Sequence, residues 1–133
     1  VKNLPQVDPR RIAVIGFSRG ALLTWQLAAR LDDLAAIVLM AIAVNPKLNF
    51  DDARLIRFPV LTQVARNDTG SSYTKGRDTV AFTRKLVKSL KNAGKDVSDI
   101  EYPAFGKDGH TLFFEVHNTY WQDVIRFLKP ILD

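Results

Sequence analysis

Two runs of residues that are apolar without alternation constrain this chain more than any other feature. They are Ile12–Gly16 (IAVIG) and Ala35–Val44 (AAIVLMAIAV). Such runs have no side that tolerates water, so each predicts a short strand covered on both faces. Between them, Arg19–Leu31 carries Leu22, Leu23, Leu27 and Leu31 at helical spacing, which predicts a helix with those leucines inward. A third strand is expected at Phe58–Arg66 (FPVLTQVAR), where Pro59 is tolerated near the start. Asn45–Arg57 and Asn67–Gly76 read as loops. A second helix follows the latter and stops near Gly94. Val97–Tyr102 is more polar and alternating, as befits an edge strand. A last helix opens on a capping-box pattern at Thr119–Gln122, with Tyr120, Val124, Leu128 and Ile131 on one face and Pro130 fraying its final turn.

Strands that alternate with helices need crossover connections. The fold class is therefore α/β: a mostly parallel sheet of about four strands with helices on both faces. At 133 residues the chain is a single domain, and 47% apolar with 25% charged residues excludes a disordered or fibrous polypeptide. The longest apolar run is too short to span a bilayer. VKNLPQVDPRR at the start is not a signal peptide, and the compartment is left open. Cysteine is absent, which excludes disulfides and thiolate chemistry. The net charge of +5 is concentrated in Arg84, Lys85, Lys88, Lys91 and Lys95, opposite an apolar stripe of Phe82, Leu86, Leu90 and Ala93. That is the wet face of an amphipathic helix; no nucleic-acid module accompanies it.

The first strand runs directly into G-F-S-R-G, with Ser18 between Gly16 and Gly20. A serine on a sharp strand-to-helix turn lifts its oxygen above the carboxyl edge of the sheet, and small neighbours let the backbone double back. The following helix aims the Arg19 backbone N–H at a developing oxyanion. Two competing readings are a glycine-rich turn whose serine merely caps the helix, and a phosphate-binding turn. The second lacks both G-x-G-x-x-G and the P-loop lysine.

A serine nucleophile needs a base, and the chain has two histidines. His110, in FGKDGH after the fourth strand, is preferred to His117, which sits just before the last helix. The pair has no metal-binding spacing, and neither a metal nor another cofactor is implied. Asp68, after the third strand, is the preferred orienting carboxylate. Asp51 and Asp52 sit mid-loop, Asp78 is explained by helix capping, and Asp108 is close to His110 in sequence.

The order Ser18, Asp68, His110, each after a separate strand, resembles the α/β-hydrolase fold, and within it the dienelactone-hydrolase-like serine esterases and peptidases. The residues that carry the resemblance are VDPRRIAVIGFSRGA, FPVLTQVARNDTG and FGKDGHTLF. It covers nearly the whole chain but only the carboxyl-terminal half of the family's domain. It implies Ser18 as nucleophile, Asp68 as acid and His110 as base. The implied activity is hydrolysis of a small carboxylic ester through an acyl-enzyme. Ala65 stands where many relatives have glycine. The resemblance also implies an α/β-hydrolase domain without its first strands, and so without the loop that gives the second oxyanion N–H. Loss of one such donor costs about 10²–10³ in rate. The first strand would then expose an apolar edge, which implies either a missing amino-terminal half or association with another copy. The alternative function is a catalytically impaired association module using that edge.

Overall fold

The computed structural model describes residues 1–133. Its strands are β1 (Ala13–Phe17), β2 (Ala36–Met40), β3 (Val60–Ala65) and β4 (Val97–Tyr102), and its helices α1 (Arg19–Ala28), α2 (Thr79–Asn92) and α3 (Asn118–Leu132). The strands form one parallel sheet in the order β1-β2-β3-β4. β2 is buried at every position, as a run without alternation requires, and β3, which includes Thr62 and Gln63, is buried throughout as well, between β2 and β4. β4, the polar strand, lies at one edge. β1 lies at the other, so the expectation of full burial fails there: with a neighbour on one side only, Ile15 is 41% exposed.

Alternate strand residues feed two cores. Ile37, Leu39 and Val60 face α1 and α2, meeting Ala21, Trp25, Phe82, Leu86 and Leu90. Val38, Met40, Leu61 and Ala65 face the other way, toward Tyr120 and Val124 of α3. The chain is thus an α/β fold with helices on both faces. Gln63 links the layers on the α3 side: its Nε2 donates to the Tyr102 hydroxyl at 2.7 Å and the Tyr120 carbonyl at 3.0 Å, and Tyr102 donates to Asp123.

Several details differ from the periodicity. The buried face of α1 is Ala21, Thr24, Trp25 and Ala28, while Leu23 and Leu27 are exposed. Close approach explains this: a Cβ on Gly16 would strike the Gly20 carbonyl and Thr24 Oγ1, so the seam between β1 and α1 accepts only small side chains. β2 ends at Met40 because Ala41 turns with φ of 42°. Ala41–Val44 then leave the sheet at its carboxyl edge. The Asn45–Arg57 loop contains a 3₁₀ turn, Phe50–Leu55, capped by Asn49. α3 begins at Asn118 after His117, with no side-chain cap, and continues through Pro130 to Leu132. α2 ends as expected: Gly94 adopts φ of 70°, and Lys95 N–H reaches the Leu90 carbonyl. Two of its basic side chains are tied to β4, Arg84 to Glu101 and Lys91 to Asp99. No helix is long and apolar enough to cross a membrane.

Candidate active site

The carboxyl edge of the sheet gathers three loops. The first is the turn between β1 and α1. Ser18 sits there at φ 53° and ψ −113°, a conformation an L-residue adopts only when its surroundings enforce it. The enforcement is visible. Ser18 N–H donates to the Met40 carbonyl at 2.9 Å, and its carbonyl accepts from Leu22 and Ala43 N–H. The steric demand falls on Gly16; a side chain on Gly20 would meet nothing within 4 Å. Ser18's hydroxyl makes no capping bond to α1, which removes the reading of a simple cap.

The second loop follows β3 and carries Asp68, whose side chain is fully buried. Its carbonyl accepts from Thr79 and Val80 N–H, anchoring the loop to the start of α2. The third loop follows β4 and leads into the 3₁₀ turn Gly109–Phe113, which carries His110, 3% exposed. His110 Nδ1 lies 2.8 Å from Asp68 Oδ2, and Nε2 lies 3.1 Å from Ser18 Oγ. A carboxylate can only accept, so a neutral imidazole here holds its proton on Nδ1. Nε2 is then free to accept from the serine hydroxyl. This is the Ser–His–Asp arrangement of serine hydrolases.

The other sequence candidates lie elsewhere. His117 precedes α3 against Phe105 and Tyr120. Asp78 caps α2, accepting from Ala81 N–H at 2.8 Å. Asp108 caps the 3₁₀ turn through His110 N–H, and Asp51 and Asp52 sit in the turn after Asn49. The backbone N–H of Arg19, at the first position of α1 directly after Ser18, has no intrahelical acceptor.

Three contributors escaped the sequence reading. Asn67 ties two of the loops together: its Oδ1 accepts from Phe105 N–H at 2.9 Å, and its Nδ2 donates to the Phe105 carbonyl at 3.1 Å. Gly109 packs beneath His110, where a Cβ would lie 2.5 Å from Asn67 Oδ1, 2.7 Å from Asp68 N and 2.9 Å from Ala65 Cβ. Tyr73 stacks over the imidazole. Of these, only the glycine beside the histidine carries a local sequence signal.

A cavity of about 350 Å³ opens beside Ser18, walled by Arg19, Ala43, Val44, Tyr73, Lys75 and Arg77 among others. Arg77 reaches across it to the Val44 carbonyl. A smaller hollow of about 200 Å³ over Phe50, Arg54 and Asn92 lies away from these residues and touches none of them.

Comparison with solved structures finds the same fold in longer proteins. A Klebsiella pneumoniae chain provisionally assigned as a dienelactone hydrolase is 19% identical, with a TM-score of 0.70; the match covers 92% of this chain and 53% of that one. A Pyrococcus furiosus esterase is 17% identical at a TM-score of 0.73, covering 99% and 57%. A Pyrococcus horikoshii acylaminoacyl peptidase is 16% identical at 0.75, covering 96% and 25%. The chain therefore spans about half the length of the first of these, and likeness at such identities speaks for the fold alone. No curated protein matches the sequence. A family model does, over residues 1–132, and by that match the chain belongs to the dienelactone hydrolase family.

Proposed function

We propose that this chain carries the triad of a serine hydrolase that cleaves a small carboxylic ester, with Ser18 as nucleophile, His110 as general base and acid, and Asp68 as the orienting carboxylate. The observation that supports it is the unbroken line from Ser18 Oγ through both imidazole nitrogens to a fully buried carboxylate. Ser18 Oγ attacks the ester carbonyl as its proton passes to His110 Nε2. Asp68 holds the ring and balances the imidazolium charge. The Arg19 N–H, aided by the α1 dipole, stabilises the oxyanion. His110 then protonates the leaving oxygen, and water repeats the sequence on the acyl-serine.

The same proposal includes the larger domain. These four strands are read as part of an α/β-hydrolase sheet whose further strands adjoin β1. Support comes from the half-length match to relatives and from Ile15, apolar and exposed in the middle of β1. That exposed edge also favours a second reading, in which the chain acts as an association module with weak chemistry.

Fluorophosphonate labelling of the 133-residue chain, read by intact mass, tests the first reading. Wild type is expected to take one adduct, and Ser18→Ala and His110→Ala none. Ester hydrolysis should fall about 10⁴- to 10⁶-fold in both variants. A folded wild-type chain that takes no adduct would overturn the hydrolase reading and leave the association module.

A further inference from the structure

Aromatic rings surround the His110 imidazole. The Phe17 ring centroid is 5.0 Å away; Tyr73 lies at 6.4 Å with its plane 18° from the imidazole's; Phe114 meets it edge-on at 6.4 Å and 84°. Phe17 also packs on Phe113 and, partly buried, lies against the core. Tyr73 and Phe114 do not. They come from different loops and contact one another at 5.0 Å and 81°, yet they are 60% and 51% exposed. A pair of aromatic rings held together in water, beside a reactive centre, marks a ligand-contact surface.

The chemistry decides which part of a substrate meets this pair. Nε2 takes the Ser18 proton and returns it to the leaving oxygen, so that oxygen must come within hydrogen-bond reach of the imidazole. The group attached to it passes the rings that flank His110, and Tyr73 also walls the cavity at Ser18. We propose that Tyr73 and Phe114 form a leaving-group subsite that selects esters of aromatic alcohols; this rests on the serine-hydrolase reading of the site. The substrate ring packs against Tyr73 in an offset or edge-on pair, an attraction an aliphatic alcohol cannot reproduce by burial alone. In the step itself, the Ser18 Oγ–acyl carbon bond forms and the acyl carbon–aryl oxygen bond breaks. The serine proton travels through Nε2 to the aryl oxygen, and the arenol leaves.

The subsite can be read without turnover. The Ser18→Ala chain is titrated with phenyl acetate and with cyclohexyl acetate, followed by NMR shifts. Phenyl acetate should bind about 3- to 10-fold more tightly. Tyr73→Phe should keep that preference, Tyr73→Ala should abolish it, and Phe114→Ala should reduce it. Equal binding of the two esters, or a preference that survives Tyr73→Ala, overturns the proposal. Turnover by the chain with Ser18 intact separates the two claims. An aryl preference in the Ser18→Ala chain, with no labelling or hydrolysis by the wild type, leaves the subsite standing as a binding site and removes the hydrolase reading. Hydrolysis of both esters, with an aryl-to-alkyl ratio of kcat/KM that Tyr73→Ala does not lower through KM, removes the subsite and leaves the hydrolase reading.

Discussion

Gly109 shows how narrow the tolerances at the triad are. It has no chemistry of its own, yet its missing side chain lets His110 approach Asp68. A methyl group there would meet the Asp68 backbone nitrogen at 2.7 Å, and backbone cannot swing aside as a side chain tip can. Gly109→Ala should therefore displace the imidazole while leaving the strands in place. A misplacement of about 1 Å costs on the order of 10²-fold in rate, and kcat for a reactive ester should drop by about that factor. Circular dichroism should show the fold retained. An unchanged kcat would mean that the loop absorbs the methyl without moving His110. Ser18, Asp68 and His110 were legible in the sequence because each follows a strand and is of a type the chemistry requires. Asn67 was not legible: its job is to hold two loops that meet only in space, and an asparagine in a turn needs no such role.

At the scale of elements, strands were read more accurately than helix faces. The unalternating run at β2 is buried throughout, as its pattern requires, while the same pattern at β1 leaves Ile15 exposed because that strand lies at the edge. The leucines of Arg19–Leu31 misled because the close seam at Gly16 admits Ala21, Thr24 and Ala28, with Trp25 filling the space beside them. A seam of that kind is set by backbone distance, which hydrophobic spacing does not encode. The contact between β3, β4 and α3 was equally hidden, since Gln63 reads as an unremarkable polar residue until Tyr102 and Asp123 surround it. Burial, and after it the Asp123 carboxylate, push the Tyr102 phenol above the ordinary tyrosine range. The neutral phenol is thus favoured in the folded chain. Its contribution is complete below the pH at which an unfolded tyrosine ionises, and is lost as pH climbs from there toward the folded value. Denaturant titrations at rising alkaline pH should show wild type losing stability more steeply than Tyr102→Phe. At neutral pH the variant should be less stable by about 1 kcal/mol, since Asp123 loses a donor and Gln63 an acceptor. Parallel alkaline slopes would show that the phenol stays wet.

For the whole molecule, the consequential feature is the asymmetry of the sheet's two edges. β4 ends the sheet safely, with Asp99 and Glu101 engaged by α2 and the polar Ser98 and Asp99 facing water. β1 does not: Ile15 lies exposed at mid-strand, with Leu23 and Leu27 exposed on the helix packed beside it. A strand with one free row of N–H and C=O groups and apolar side chains templates pairing with another strand. The family resemblance implied this edge, whereas the apolar run taken alone predicts a strand covered on both faces. The isolated 133-residue chain should then associate reversibly through β1, with sedimentation velocity showing a weight-average mass that rises with concentration. Ile15→Lys places a charge on that edge and should raise the dissociation constant by about tenfold or more, equivalent to about 1.4 kcal/mol. Ile15 is remote in role from Ser18 and His110, so fluorophosphonate labelling of Ile15→Lys then distinguishes the two functions of the edge. Labelling that persists in the monomeric variant assigns the chemistry to the single chain. Labelling lost together with association means that a strand laid along β1 completes the site. A wild-type chain that stays monomeric at all concentrations would show that the edge is not an association surface, and the module reading would fall with it.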